Sequence, residues 1–139
     1  MASRAHGGTP STPQAAIVAA VAAGGVLGAL GRYGAGVALP TAPGAFPLTT
    51  FLVNVLGCLL MGALATALAR RPDVHPLARP FLGTGVLGGF TTFSTFAADA
   101  DGLLLGPSPH IAIGVLYVVA TAGTAIGAAA IGAWLVGRR

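Results

Sequence analysis

The sequence predicts an all-α integral membrane protein with four transmembrane helices, the third broken near its centre. Three observations lead there. Charged residues make up 7% of the 139-residue chain and mean hydropathy is +0.85; a soluble domain carries about 25% charged residues, so this chain could not cover a water-facing surface. Four apolar runs, each near the roughly 20 residues that a spanning helix needs, are separated by joints rich in proline. Inside the third run, Gly88 and Gly89 are followed closely by the β-branched Thr91 and Thr92, a combination that makes a poor helix centre.

Taken in order, residues 1–14 are small, polar and proline-containing and read as a mobile N-terminal tail. A cleaved signal peptide is the competing reading, but the apolar run that follows is long and no small-x-small cleavage site precedes a soluble domain. The membrane domain then covers 15–139, with spans expected at about 15–39, 48–69, 77–98 and 110–137. Pro40, Pro43 and Pro47, then Pro72, Pro76 and Pro80, then Pro107 and Pro109 mark the joints, since proline ends one helix and tolerates only the first turn of the next. The 22 glycines suit close helix–helix approach in lipid. Cys58 is the single cysteine, which excludes an internal disulfide and a cysteine metal cluster and leaves a small packing residue.

An even number of spans puts both ends of the chain on one side. That side carries Arg4, Arg70, Arg71, Arg79, Arg138 and Arg139, while the opposite loops carry no Arg and hold Asp99 and Asp101 at the rim. The positive-inside rule then places both termini in the cytoplasm of a multi-pass cell-membrane protein. The arginines flank apolar runs and form no basic stripe, so nucleic acid is not an expected partner.

Polar groups inside spans are costly and therefore informative. Arg32 lies toward the far end of the first span, where snorkelling to headgroups is the structural alternative to a site role. Asn54 sits in the second span, where an interhelical hydrogen bond is the alternative. Thr84, Thr91, Thr92, Ser94 and Thr95 lie in the third, and Tyr117, Thr121 and Thr124 in the fourth; hydroxyls of this kind often only satisfy their own backbone. Tyr117 and Thr121 are one turn apart and share a helix face. No carboxylate or histidine lies deep in a span, which argues against proton relays, a histidine metal site and Ser/His/Asp catalysis. The remaining donors do not titrate near neutral pH and suit a passive path for an ion or small polar solute. A break in the third span exposes carbonyls at one half-helix end, which suit a hard cation, and N–H groups at the other, which suit an anion. Phe90, Phe93 and Phe96 are either a packing stripe or rings whose electropositive edges face an anion.

The stretches "GGFTTFSTF", "GALGRYG" and "FLVNVLGCLLMG" together resemble the Fluc (CrcB) family of fluoride channels, from about Gly24 to the end of the chain. The resemblance implies a passive, fluoride-selective channel, not an enzyme, that exports fluoride and relieves its cytoplasmic toxicity. It implies an antiparallel dimer with two pores between the subunits and a structural, untransported Na⁺ at the dimer centre. Carried over residue by residue, it puts Na⁺ on the backbone carbonyls of Gly88 and Thr91. It matches Asn54, Phe93 and Phe96 to the pore, with Thr50 one turn before Asn54, and Ser94 and Thr95 as added donors. Tyr117 and Thr121 match a polar track on the fourth helix, and Arg32 a vestibule or structural position. The arginine bias departs from a chain that pairs with itself in both orientations, so an oppositely oriented paralogue is the expected partner. A small dimeric ion- or proton-coupled exporter is the rival reading.

Overall fold

Proline and apolar length set the helix limits. The structure, a computed structural model, describes residues 12–71 and 73–138, without the side chains of 108 and 109; the expected tail over 1–11, the joint residue Pro72 and Arg139 lie outside them. Helix α1 (Gln14–Ala38) follows Pro13, held at φ −56° and ψ 134°, and stops before Leu39, which precedes Pro40 and takes φ −129° and ψ 70°; the ring of a following proline disfavours helical geometry at that position. Helix α2 (Leu48–Ala69) starts directly after Pro47. With 25 and 22 residues, the two extend about 37 Å and 33 Å, enough for a hydrocarbon core about 30 Å thick.

The third run differs from a single interrupted helix. It opens as a wide π-wound segment, Arg79–Leu87, and passes into the short α3 (Gly88–Phe90). Thr91 and Thr92 then leave helical geometry, with ψ of 160° and 123°, and α4 (Phe93–Leu104) resumes. Gly88 and Gly89 thus stay helical, and the chain breaks at the two β-branched threonines. The second half also runs past the expected limit at 98 to Leu104, carrying Asp99 and Asp101 on a helix. The last helix, α5 (Ser108–Gly137), begins two residues before the expected His110, with proline in its first turn, where its missing N–H has no helical partner to lose. Among the described residues, three helices (α1, α2 and α5 from His110) are long and apolar enough to cross a membrane, and no strand occurs.

Glycine contacts fix the packing. A Cβ on Gly28 would strike the Val86 carbonyl, and one on Gly85 would come within 2.9 Å of the Gly24 Cα, so α1 and the third run meet backbone to backbone. Between α2 and α5, Gly62 faces the Ala129 carbonyl and Gly132 the Leu59 carbonyl. Contacts advance in step along each pair: Gly24 with Gly85 and then Arg32 with Gly89, Phe46 beside Phe51 and Tyr117 and then Arg70 with Val136. The first and third runs therefore share a direction, and so do α2 and α5. The buried core is small, made of Ala100, Leu103 and Tyr117 with Phe46, Phe51 and Phe96 packed around them. Large apolar side chains along α1, α2 and α5 face outward, an arrangement suited to lipid as solvent.

Candidate functional site

The break at Thr91 and Thr92 would orphan several backbone groups at membrane depth, where none can be left to water. Asn54, carried by α2 and only 7% exposed, meets two of them at once. Its Nδ2 donates to the Thr92 carbonyl at 3.0 Å, and the Thr92 N–H donates to its Oδ1 at 2.8 Å. Thr92 is in turn the N-cap of α4: its Oγ1 accepts from the Thr95 N–H at 3.1 Å and donates to Thr95 Oγ1 at 3.0 Å, with Ser94 Oγ at 3.4 Å. This is the usual cap geometry for a threonine before a resumed helix.

Those bonds release two carbonyls. In an unbroken helix the Thr92 N–H would close on Gly88 and the Thr95 N–H on Thr91. Both donors are taken elsewhere, by Asn54 and by Thr92 Oγ1, so the Gly88 and Thr91 carbonyls lose their ladder partners. The Gly89 carbonyl receives Arg32 Nε from α1 at 3.3 Å. Thr91 turns its own hydroxyl and N–H back to the Leu87 carbonyl, each at 3.0 Å, and its methyl fills the notch at Gly57.

Two grooves meet at Thr92. One, of about 360 Å³, is lined by Asn54, Thr92, Phe93, Phe96 and Thr121 together with apolar residues of α2 and α5. Thr121 Oγ1 is buried there with no hydrogen-bond partner among the described residues. The other, of about 240 Å³, is lined by Arg32, Thr49, Thr50, Thr92 and Thr95. Beyond it, Asp99 accepts from Thr50 Oγ1 at 2.7 Å and, at the long distance of 3.5 Å, from the Tyr117 hydroxyl, so one carboxylate ties α4 to α2 and α5. Phe93 and Phe96 have ring centroids 5.9 Å apart, and Phe96 lies 5.2 Å from Tyr117, both pairs tilted at 43°.

The model of the CrcB-like protein family (Camphor Resistance, CrcB) matches residues 19–133. The chain belongs to the CrcB family. Among its CrcB relatives, the Fluoride-specific ion channel FluC 1 of Streptomyces coelicolor is 45% identical over 125 residues, covering 90% of this chain and 80% of that protein. The Fluoride-specific ion channel FluC 2 of Streptomyces avermitilis is 46% identical over 108 residues, 78% of this chain and 67% of the relative. The FluC 2 of Thermobifida fusca is 51% identical over 82 residues, 59% of this chain and 61% of the relative.

In this CrcB chain the fold brings Asn54, Phe93, Phe96 and Thr121 to one groove and Arg32, Thr50 and Thr95 to the other. It does not gather all the expected residues. Tyr117 is fully buried between Phe46 and Phe96 and lines neither groove. Ser94 is exposed and lines neither groove. The three phenylalanines do not form one stripe: Phe90 stays with α3 beside Gly31 and Gly57, while Phe93, 80% exposed, and Phe96 follow the break. Two residues carry more than their sequence position suggested. Thr92 joins the grooves and caps α4; a threonine ahead of a resumed apolar helix is itself an N-cap signal. Asp99 is half-buried and turned inward, whereas Asp101 is exposed; its place one turn after Thr95 is the signal that would have set it apart.

Proposed function

We propose that this chain is one subunit of a fluoride-specific, passive ion channel of the cell membrane, with no bond-making chemistry of its own. The observation that carries the reading is the groove where Asn54, Phe93, Phe96 and the unpartnered Thr121 hydroxyl converge without a charged side chain. Fluoride is small and tightly hydrated, so a pore must replace its water with close donors. Uncharged donors do so without a fixed positive charge that would hold the ion. The names of the relatives agree with this ligand. Inside-negative potential drives an anion outward, so export needs neither a proton gradient nor ATP.

The groove is open on one side and Phe93 is 80% exposed, which supports a second subunit closing each of two pores in an antiparallel dimer of four-span chains. The Gly88 and Thr91 carbonyls, released from the helix ladder, fit a hard cation, for which oxygen donors are the preferred ligands. Among the described residues no group of His, Cys, Asp or Glu could hold a metal, so neutral backbone oxygens are the donors on offer for Na⁺. Two carbonyls from one chain are an incomplete shell, and a partner's equivalent pair would extend it.

The test is fluoride-electrode efflux from proteoliposomes, with chloride as control and a paralogue supplied if one is encoded. Fluoride release without chloride release is expected; vesicles as tight to fluoride as empty lipid would end the reading. Asp99, held by Thr50 and Tyr117, favours a second reading, a proton-coupled exporter. That reading requires fluoride flux to follow an imposed pH gradient, and the channel reading requires that it does not.

A further inference from the structure

We infer that the end of the molecule where α2 and α5 finish holds one anionic phospholipid, with its phosphate on Arg71 and an acyl chain between the helix ends. Arg70 reaches across from the end of α2 and donates Nη1 to the Val136 carbonyl at 2.9 Å and Nη2 to the Gly137 carbonyl. These are among the last carbonyls of α5, which lack an i+4 donor in the helix ladder, although the Arg138 N–H also turns toward Val136. The guanidinium thereby bridges two spanning helices at the mouth of a groove of about 650 Å³, walled by Ala67, Leu68, Val74 and Leu135 and edged by Arg70 and Arg71.

The three arginines at this end differ in what they have left to give. Arg70 is occupied by the carbonyls it caps. Arg138, near the end of α5, lies 3.6 Å over the Trp134 ring, a cation–π contact. Arg71 is exposed, and its guanidinium donates to no group among the described residues. A planar guanidinium with free donors matches phosphate oxygens, and Arg71 borders a groove whose lining is apolar apart from itself and Arg70. Charge and grease in that order, at the level where a spanning helix ends, are the chemistry of a phospholipid rather than of a soluble anion. Along α2 the groove begins at Ala67, about 20 Å from Asn54, so the inference does not depend on the fluoride reading.

Native mass spectrometry of the purified full chain, given phosphatidylglycerol or phosphatidylcholine with identical acyl chains, tests this directly, with thermal unfolding as the second readout. One phosphatidylglycerol retained per chain, with a raised Tm, is expected, and no such retention of phosphatidylcholine. Arg71→Gln should weaken that retention about fivefold, the effect of one interfacial cation. Ala67→Phe, which fills the groove, should abolish it while leaving fluoride flux intact. Equal retention of the two lipids, or full retention by Arg71→Gln, would overturn the inference. Inorganic phosphate raising Tm as much as the lipid would assign the site to a free anion and also overturn it. Retention that survives Ala67→Phe would reduce it to surface charge. Arg71 is exposed, so its substitution leaves the fold to be compared even where Ala67→Phe is poorly produced.

Discussion

At the scale of single residues, Asn54 does two things that are usually separate. It presents an amide to the groove, and it replaces the missing helical partners of Thr92 with one donor and one acceptor. A primary amide carries its donor and its acceptor on separate atoms and so meets the N–H and the carbonyl of one residue together, whereas a hydroxyl has both on one atom and an ionised acid has no donor. Asn54→Asp keeps the shape but turns the Nδ2 donor into an oxygen facing the Thr92 carbonyl. A buried polar group left unmet costs about 1–3 kcal/mol, and more where it is charged, so this variant should lose nearly all fluoride flux and melt at a lower temperature. Phe96→Ile makes a useful contrast. Phe96 bonds to no backbone group and packs against Phe93 and Tyr117, so its replacement should abolish flux in the liposome assay while the protein still assembles. Flux at the unmodified level in either variant would contradict the pore assignment. The double role of Asn54 was only half legible in the sequence. The residue stood out as an amide in an apolar span, but the partner depends on the register of α2 against the break, which no local pattern encodes.

At the scale of elements, the break is held from three sides. Asn54 on α2 takes the Thr92 backbone, Arg32 on α1 takes the Gly89 carbonyl, and Thr92 caps α4 from within. These bonds require α1 to lie almost in backbone contact with the third run, which the glycines permit. Gly28 is the sharpest case, since a Cβ there would strike the Val86 carbonyl and come within 2.7 Å of the Phe90 N–H nitrogen, whereas a Cβ on Gly25 would meet nothing within 4 Å. Gly28→Ala should therefore lower the thermal midpoint in detergent and weaken flux by shifting Arg32 off Gly89. Gly25→Ala should be neutral or slightly stabilising, because alanine is the better helix former by up to about 1 kcal/mol. Similar behaviour of the two would mean that the close approach of α1 carries no energetic weight. The existence and limits of α1, α2 and α5 followed from composition and proline, the strongest signals a membrane sequence gives. The π winding of Arg79–Leu87, the continuation of α4 to Leu104 and the inward turn of Asp99 did not, because each answers to a neighbouring helix: α1 against Gly85 for the first, Thr50 and Tyr117 for the last.

At the scale of the whole molecule, charge and shape make separate demands that meet in one requirement. Among the described residues Arg70, Arg71, Arg79 and Arg138 lie at one end, with Arg32 toward the other. The clamp from Arg70 to Val136 and Gly137 brings the ends of α2 and α5 together there, while the 39–47 loop, without a charge, packs Gly44 against His110 at the opposite end. The sequence puts six arginines on the first side and none in the loops of the other. On the proposed orientation, a bias this large would hold every copy one way round, since the arginine and lysine bias of short loops sets topology. The chain nevertheless leaves its polar groove open and Phe93 80% exposed, which fits the proposal that a second subunit encloses the ion path. If the enclosing partner is antiparallel, a chain with one fixed orientation cannot supply it by itself. Expressed alone, the protein should therefore place its C-terminus in the cytoplasm in every copy, read by protease access to a terminal tag in sealed vesicles, and it should conduct little fluoride. Co-expression with a paralogue of opposite arginine bias should restore flux. Moving the bias should have the same effect: replacing Arg70, Arg71 and Arg79 by Gln and adding lysines to the 39–47 loop yields a reversed chain that complements the original. Robust efflux from the unmodified chain alone, with tags on both sides of the membrane, would show that it pairs with itself and that the arginine count does not govern its insertion.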